Sequence, residues 1–496
     1  MTHDEIVRGL RDSTFELEDE GRRVRAGLKS EQDTASIMAR YAWLYSEQAL
    51  EAVGEPADEA GRRVRAALVQ GIVERRTAAQ QDRLSTFFAT AAAQVDGEEV
   101  PFYTAQAGLA READPHRREA LGEGVGQVME QAEGLHLELH RAVLDLVRGF
   151  GHDSYTAFWS ELKQVDYERL RTELTRVADR ARDRYRAWVE PRMERAGYAF
   201  GRCPQLHMPY FRSLPEHDGA FTAERFEPAM RRTFERLGLD LFATPTIHLD
   251  LADRPAKNPR ASVWVLEAGR DVHLLTRPSG GNTDYSAFLH EAGHALHFGL
   301  TDPEIGWPLA NLGRSMAYAE LWSFLVERIG HDPEWIAEVT GVRAAEAERI
   351  ATDLAGVDLM LFFRYVGKFT TELELYGGDP LDAGRGRRLF AERLSGPTGF
   401  RYDPRAWQFD RDPGFYSADY LRAWLAEAAI EGWLRGRFGD RWWANPEAGR
   451  WLREQWRRGS RPEAEDLVAE AEASPWSGDA LLARLGRRLP VGEPPR

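Results

Sequence analysis

Cysteine is almost absent from this chain of 496 residues, which contains Cys203 and no other. A lone cysteine cannot form an internal disulfide, so the sequence excludes the class of small, disulfide-stabilised secreted proteins. The length allows two or more domains with hydrophobic cores of their own. Sparse cysteine is typical of proteins from a reducing compartment, and we expect a cytoplasmic location.

Long hydrophobic runs are also lacking. No stretch reaches the roughly 18 consecutive apolar residues that indicate a transmembrane helix. The first residues, MTHDEIVRGL, are charged where a secretory signal would be apolar. We therefore expect a protein that does not use a membrane as its partner.

Positive charge is the third deficit: 65 Lys and Arg residues stand against 80 Asp and Glu residues, which gives a net charge of −15. Proteins that bind nucleic acids usually present a basic face to the phosphates, so we expect no nucleic-acid partner. The glycine-rich segment GEGVGQ at 122–127 has no preceding strand and no phosphate-loop lysine. This segment therefore does not indicate a nucleotide-binding site, and we expect no nucleotide cofactor.

Most of the chain has the spacing of amphipathic helices. In 166–197, for example, apolar residues recur every three or four positions among Arg and Glu. The sequence therefore predicts a mainly α-helical protein. We divide it into an N-terminal helical lobe at 1–200, a catalytic region with a small β-sheet at 201–430, and a C-terminal helical segment at 431–496.

One region departs from the helical pattern. Residues 261–278 contain two short β-prone runs around EAGRD and predict a hairpin, and 244–251 is a candidate third strand. The following SGGNTD supplies a glycine turn and candidate helix caps. A small sheet is thus expected to lead directly into a helix.

That helix begins the segment DYSAFLHEAGHALHFGLTD at 284–302. His290 and His294 are four residues apart, so they project from one helical face one turn apart and can bind one zinc ion. Glu291 lies beside them, close enough to accept a proton from metal-activated water. This HExxH pattern predicts a zinc site with a carboxylate general base.

His297 is not expected to complete this site, because it lies roughly 10 Å along the helix axis from His290. A second nearby source of a ligand is also excluded. In metzincins the third ligand follows a glycine placed three residues after the second histidine, but the corresponding positions here are His297 and Leu300. The third ligand must therefore come from another segment.

A second amphipathic helix is predicted at 314–330, where Glu320 and Glu327 lie seven residues apart on one face. A glutamate buried among apolar neighbours needs a positive partner, and a zinc ion would be one. The alternative is that these glutamates lie on an exposed surface. The residues alone leave both interpretations open.

The sequence resembles the thimet oligopeptidase and oligoendopeptidase F family of zinc metallopeptidases. HEAGHALH is similar to the active-site helix of that family. AELWSFLVE at 319–327 resembles its later segment, in which a ligand glutamate is followed seven residues on by another glutamate. The resemblance implies one Zn²⁺ per chain bound by His290, His294 and Glu320, with Glu327 supporting a ligand. It also implies a two-lobed, mainly α-helical fold around a deep cleft.

The resemblance extends to PGFYSADYLRAW at 413–424, where the family carries tyrosines that donate hydrogen bonds to the oxyanion of the tetrahedral intermediate. Tyr416 and Tyr420 match two of these tyrosines. Without the resemblance, they would be interpreted as buried packing residues. The chain lacks the histidine that commonly precedes them, and Arg422 and Ala423 stand where another tyrosine is frequent.

These observations predict a zinc peptidase that hydrolyses short peptides, with Glu291 as general base and Tyr416 and Tyr420 stabilising the oxyanion. Two alternatives are a zinc carboxypeptidase and an amidohydrolase acting on a non-peptide amide. A third is a catalytically weakened helical binding protein that retains its zinc site. The sequence does not predict an oligomeric state.

Overall fold

The computed structural model describes residues 1–258 and 260–489, and α-helices form most of them. In chain order the helices are α1 (His3–Arg25), α2 (Thr34–Arg40), α3 (Glu47–Val53), α4 (Glu59–Thr90), α5 (Phe102–Gly108), α6 (Pro115–Gln131), α7 (Glu133–Gly149), α8 (Tyr155–Lys163), α9 (Tyr167–Arg195), α10 (Met208–Ser213), α11 (Ala223–Arg236), α12 (Asn282–Gly299), α13 (Trp307–Asn311), α14 (Ala317–Glu327), α15 (Pro333–Thr340), α16 (Ala344–Tyr376), α17 (Ala383–Thr398), α18 (Tyr416–Phe438), α19 (Pro446–Trp456), α20 (Ala464–Glu470) and α21 (Asp479–Arg488). The prediction of a mainly α-helical fold is confirmed.

The strands are short and form small sheets. They are β1 (Ala92–Val95), β2 (Glu98–Pro101), β3 (Cys203–Pro204), β4 (Ile247–Asp250), β5 (Ser262–Glu267), β6 (Asp271–Leu275) and β7 (Phe400–Arg401). β1 pairs with β2, β3 pairs with β7, and β4, β6 and β5 form a three-stranded sheet in that order. No helix in 1–258 or 260–489 is both long and apolar enough to cross a membrane.

The chain divides into two compact units, and each is assembled from three separate stretches. The first unit comprises Met1–Arg75, His217–Ile350 and Arg422–Ala480. The second comprises Arg76–Glu216, Ala351–Leu421 and the described part of Leu481–Arg496. The three regions that the sequence predicts, 1–200, 201–430 and 431–496, follow chain order, and this division stays a prediction. Residues 490–496 of the last region lie outside the described residues.

The predicted hairpin at 261–278 is confirmed, since β5 and β6 pair antiparallel with Val263 opposite Leu274. The candidate third strand is also present as β4, which pairs parallel to β6 with Ile247 opposite Val272. Val272 and Leu274 are fully buried, so one face of the sheet belongs to the core of the first unit.

The turn between β6 and α12 fixes where α12, the helix that carries His290 and His294, begins. Gly280 and Gly281 have φ values of 88° and 93°, a left-handed region that favours glycine. The backbone N–H of Asn282 donates to Asp218 Oδ1 at 2.9 Å. The backbone N–H of Ser279 donates to Asp284 Oδ2 at 2.6 Å. The sheet therefore leads directly into α12, as predicted.

The region 1–200 contains one element that the helical periodicity does not predict. The second unit includes the antiparallel hairpin β1–β2, joined by Asp96 and Gly97. Both turn residues have positive φ, at 52° and 86°, as a two-residue hairpin turn of the primed type requires. The Asp-Gly pair carries this signal, although the strands around it are only four residues long.

Candidate metal centre

α12 and α14 bring three potential ligands together in the first unit. The Nε2 atoms of His290 and His294 lie 3.4 and 3.6 Å from Glu320 Oε2. The two imidazole rings, one helical turn apart, have centroids separated by 5.1 Å. One nitrogen from each histidine and one oxygen of Glu320 all lie within 4.8 Å of one another. The structure therefore gathers the three residues predicted as zinc ligands.

The spacing of these donor atoms suits a tetrahedral zinc ion. With zinc–ligand distances of roughly 2.0–2.2 Å, tetrahedral geometry separates neighbouring donors by roughly 3.3–3.6 Å. The two distances from Glu320 Oε2 fall in that range. Glu320 itself is only 3% exposed, and a buried carboxylate is costly unless a positive partner balances it. The donor set and its burial both fit a zinc ion.

Gly293 allows the two helices to approach this closely. A Cβ atom at this position would lie 2.5 Å from Ser323 Cα and 2.5 Å from the carbonyl oxygen of Trp322, both on α14. Real Cβ atoms essentially never make such contacts, so the α12 backbone lies directly against α14. The glycine within HEAGH is thus a packing requirement of the site.

Replacing Gly293 with alanine should separate α12 from α14. We expect the free energy of unfolding to fall by about 1–3 kcal/mol, the usual cost of overpacking, and zinc affinity to fall with it. Chemical denaturation and a zinc competition titration measure the two effects. Gly432 in α18 is a matched control, because it is exposed and an added Cβ would have nothing within 4 Å. Gly432→Ala should slightly stabilise the helix, and Gly293→Ala with unchanged zinc affinity would refute the packing role.

Glu327 orients one of the candidate ligands, His290. Its Oε2 accepts a hydrogen bond from His290 Nδ1 at 3.0 Å, which leaves Nε2 directed toward Glu320. Carboxylates that bind the far nitrogen of a metal-ligating histidine fix the ring and make it more basic. The second glutamate of the AELWSFLVE segment therefore acts on His290 and lies outside the ligand set.

The electrostatics of the cluster favour a positive charge at its centre. Burial lowers the pKa of His290, but the carboxylates of Glu320 and Glu327 outweigh it and raise the pKa to about 10. Burial raises the pKa of Glu320, but the charge of His294 and the hydrogen bonds with both histidines hold it well below its ordinary value. A proton or a metal ion supplies the positive charge that these carboxylates require.

His297 lies in the core. It is fully buried, and its Nε2 donates to the carbonyl oxygen of Gly459 at 3.1 Å. Burial lowers its pKa to about 3, so the ring is neutral. Its ring also packs edge-on against Tyr318 at a centroid distance of 5.4 Å. The third histidine of the segment is therefore a core residue and not a member of the converging set.

Tyr416 and Tyr420 lie at the start of α18, in the second unit. Their rings pack against each other at a centroid distance of 4.7 Å and an interplanar angle of 87°. Their role at the metal centre stays a prediction. Arg422, which belongs to the first unit, donates to both carboxylate oxygens of Glu465 at 2.7 and 2.8 Å. This arginine is bound in a buried ion pair.

The sequence matches no protein-family profile and no curated protein. Solved structures do match. A structure assigned as oligoendopeptidase F of Bacillus anthracis is 15% identical, with a TM-score of 0.62 over 91% of this chain and 82% of that one. PZ peptidase A, solved with an inhibitor, is 15% identical, with a TM-score of 0.64 over 92% and 89%. A carboxypeptidase of Pyrococcus furiosus is 15% identical, with a TM-score of 0.63 over 98% of both chains.

The chain has the fold of these peptidases. TM-scores of 0.62–0.64 show the fold, and the mainly α-helical peptidase fold predicted from the resemblance to oligoendopeptidase F is thereby confirmed. Because unrelated functions recur on one fold, activity has to be argued from the site itself.

The sequence did not predict two residues that interact with the candidate metal centre, Ser323 and Arg25. Ser323 donates through Oγ to Glu320 Oε2 at 3.1 Å, and its position one turn after Glu320 on α14 was an available signal. Arg25 is the last residue of α1. Burial and the charge of Arg260 lower its pKa, and the charge of Glu291 partly opposes this shift. No local pattern connects α1 to α12, so the sequence offered no signal for Arg25.

Proposed function

We propose that this protein is a zinc-dependent peptidase that hydrolyses short peptides. The observation that carries the proposal is the convergence of His290, His294 and Glu320 from two helices, with Glu291 beside the first histidine. The peptidase fold of the matching structures supports it.

The single cysteine, which is buried and unpaired, supports a cytoplasmic location.

His290, His294 and Glu320 would hold the metal ion. Two imidazoles and one carboxylate form a donor set that suits zinc, with one position left for water or substrate. When bound, the ion supplies Lewis-acid chemistry: it lowers the pKa of water and polarises a carbonyl group. Glu327 keeps His290 in the orientation that this binding requires.

Glu291 would move the proton. A carboxylate oxygen of Glu291 accepts a proton from the attacking water and later gives it to the departing amine. Glu291 directly follows His290 on α12 and is not one of the three converging residues, which supports this role. The phenol hydroxyls of Tyr416 and Tyr420 would donate hydrogen bonds to the developing oxyanion.

The tyrosine assignment predicts a specific kinetic change. Replacing Tyr416 and Tyr420 together with phenylalanine should lower kcat by about 10²–10³-fold, with zinc affinity unchanged, because the hydroxyls that would stabilise the transition state are removed and no metal ligand is changed. Steady-state kinetics on a fluorogenic peptide measure this effect. Tyr103→Phe is a matched control at a tyrosine that is 54% exposed. An unchanged kcat in the double variant would assign both tyrosines to packing.

A second candidate function is carboxypeptidase action. It is favoured by Arg25, whose Nε is buried and has no hydrogen-bond partner among the described residues. The charge of Glu291 acts on this arginine, and Arg260 is a second cation nearby. A pair of guanidinium groups beside the general base would suit the terminal carboxylate of a peptide.

Cleavage positions in a mixed peptide library test the proposed function and separate the two candidates. An oligopeptidase should cut internal bonds, also in peptides whose C-terminus is amidated, and lose activity with a chelator. A carboxypeptidase should remove residues one at a time from free C-termini and spare amidated peptides. Absence of any cleavage by the zinc-loaded protein would refute both.

A further inference from the structure

The three-stranded sheet carries a second group of metal-ligating side chains. His248 on β4 lies directly opposite His273 on β6, as the parallel register dictates. Asp271 precedes His273 by two residues, and because strand residues alternate between faces, both project from the same face of β6. Val272 and Leu274 lie on the other face and are buried. The register thus gathers two imidazoles and a carboxylate on the face away from that core.

The donor atoms of these residues converge. Asp271 Oδ1 lies 2.9 Å from His273 Nε2 and 3.3 Å from His248 Nε2. The two imidazole rings have centroids 4.7 Å apart and planes inclined by 33°. The three ligand atoms all lie within 4.8 Å of one another, as do those of His290, His294 and Glu320. The separation between the His248 and Asp271 donors is that of a tetrahedral metal site, roughly 3.3–3.6 Å.

Asp271 Oδ1 is a buried atom with no well-oriented hydrogen bond among the described residues, although two imidazole nitrogens lie within 3.3 Å of it. A buried carboxylate oxygen without a hydrogen bond is costly and requires a positive partner. His248 is half exposed, so water can complete the coordination.

We propose that His248, Asp271 and His273 form a second site for a divalent transition ion such as Zn²⁺. Two imidazole nitrogens and a carboxylate oxygen suit this class of ion, whereas Mg²⁺ and Ca²⁺ prefer oxygen ligands alone. The site is independent of the proposed peptidase activity, since none of its residues belongs to the catalytic cluster.

Such an ion would join the edge strand β4 to the central strand β6. The inward-facing neighbour of His248 is Ile247, whose side chain lies where a Cβ of Gly299 would be, at the end of α12. The ion would therefore stabilise the strand that packs against the end of the active-site helix. Its role would be structural, and it would take no part in hydrolysis.

One positive charge opposes this site. The charge of Arg22 on α1 acts on His273, so it disfavours a cation there. Asp19 offsets part of this charge, because its Oδ1 accepts a hydrogen bond from Arg22 Nε at 3.0 Å. Arg22→Gln should therefore tighten zinc binding at this site and leave the catalytic site unchanged.

Zinc content of the full-length chain tests the proposal, with Zn²⁺ alone as the probe. After dialysis in a zinc-buffered solution, the wild type should hold two ions per chain. His248→Ala and Asp271→Asn should each hold one, and so should Glu320→Ala, which removes the catalytic ligand. His248→Ala combined with Glu320→Ala should hold none. These four variants distinguish a failure of the second site from a failure of the catalytic one.

His116→Asn is the control for nonspecific binding, because His116 is an exposed histidine outside the proposed cluster. It should keep both ions. Circular dichroism and the thermal unfolding midpoint without zinc check that each variant is folded, and zinc should raise that midpoint less in His248→Ala than in the wild type. If His248→Ala and Asp271→Asn retain the wild-type zinc content, or the wild type holds only the ion that Glu320→Ala removes, the second site does not exist.

Discussion

Replacing Glu291 with glutamine is expected to lower kcat for peptide hydrolysis by about 10²–10⁴-fold, while the bound zinc remains. Glutamine has nearly the same shape but cannot accept a proton from the attacking water. The proposed ligand atoms belong to His290, His294 and Glu320, so the substitution leaves the converging donors in place. Kinetics on a fluorogenic peptide, together with zinc analysis of the same sample, measure both quantities.

Glu304→Gln provides the matched control, because Glu304 is an exposed glutamate in the short turn that follows α12. It should hydrolyse peptides at the wild-type rate. Hydrolysis that survives in Glu291→Gln with zinc still bound would show that another group accepts the proton. Loss of zinc in this variant would instead indicate that Glu291 helps to bind the ion.

The second large effect is expected for Glu320. Glu320→Ala should weaken zinc binding by more than about 100-fold, which exceeds the roughly 10–100-fold loss typical for a residue that only orients a ligand. Without its carboxylate, the pKa of His290 should also fall, because Glu320 is one of the two groups that raise it to about 10. Competition with a chromophoric chelator measures the affinity, and an NMR titration of the imidazole follows the pKa.

Glu327→Gln is the informative comparison. Its Oε2 lies 3.0 Å from His290 Nδ1, so its removal disturbs the orientation of a ligand but removes no donor atom. We expect a smaller loss of zinc affinity than in Glu320→Ala. If both variants lost zinc equally, or if Glu327→Gln lost more, the assignment of Glu320 as third ligand would be wrong.

The sequence predicts those parts of the site that depend on helical periodicity. The spacing of His290 and His294 dictates that both project from one face, and the structure places them there. The selection of Glu320 required more than spacing, since Glu327 lies on the same face two turns later. The resemblance to known peptidases selected Glu320, and the burial of its side chain now gives the physical reason for the choice.

Features that depend on close approach between distant segments were not predictable. The contact between Gly293 and Ser323 requires knowledge of how α12 crosses α14, which no local pattern supplies. The effect of the Glu291 charge on Arg25 links α1 to α12, two helices from different stretches of the first unit. The order of residues in the chain likewise does not reveal that each compact unit is assembled from three separate stretches.

The most direct test of the central claim is to measure zinc content and hydrolysis of a quenched fluorogenic peptide on one sample. The His248→Ala variant is the best form of the protein for this purpose, because the proposed second ion is then absent. Chelation should abolish hydrolysis, and one equivalent of zinc per chain should restore it in proportion to the zinc bound. Zinc bound without hydrolysis of any peptide would contradict the account and favour a binding protein, as would hydrolysis that persists after the zinc is removed.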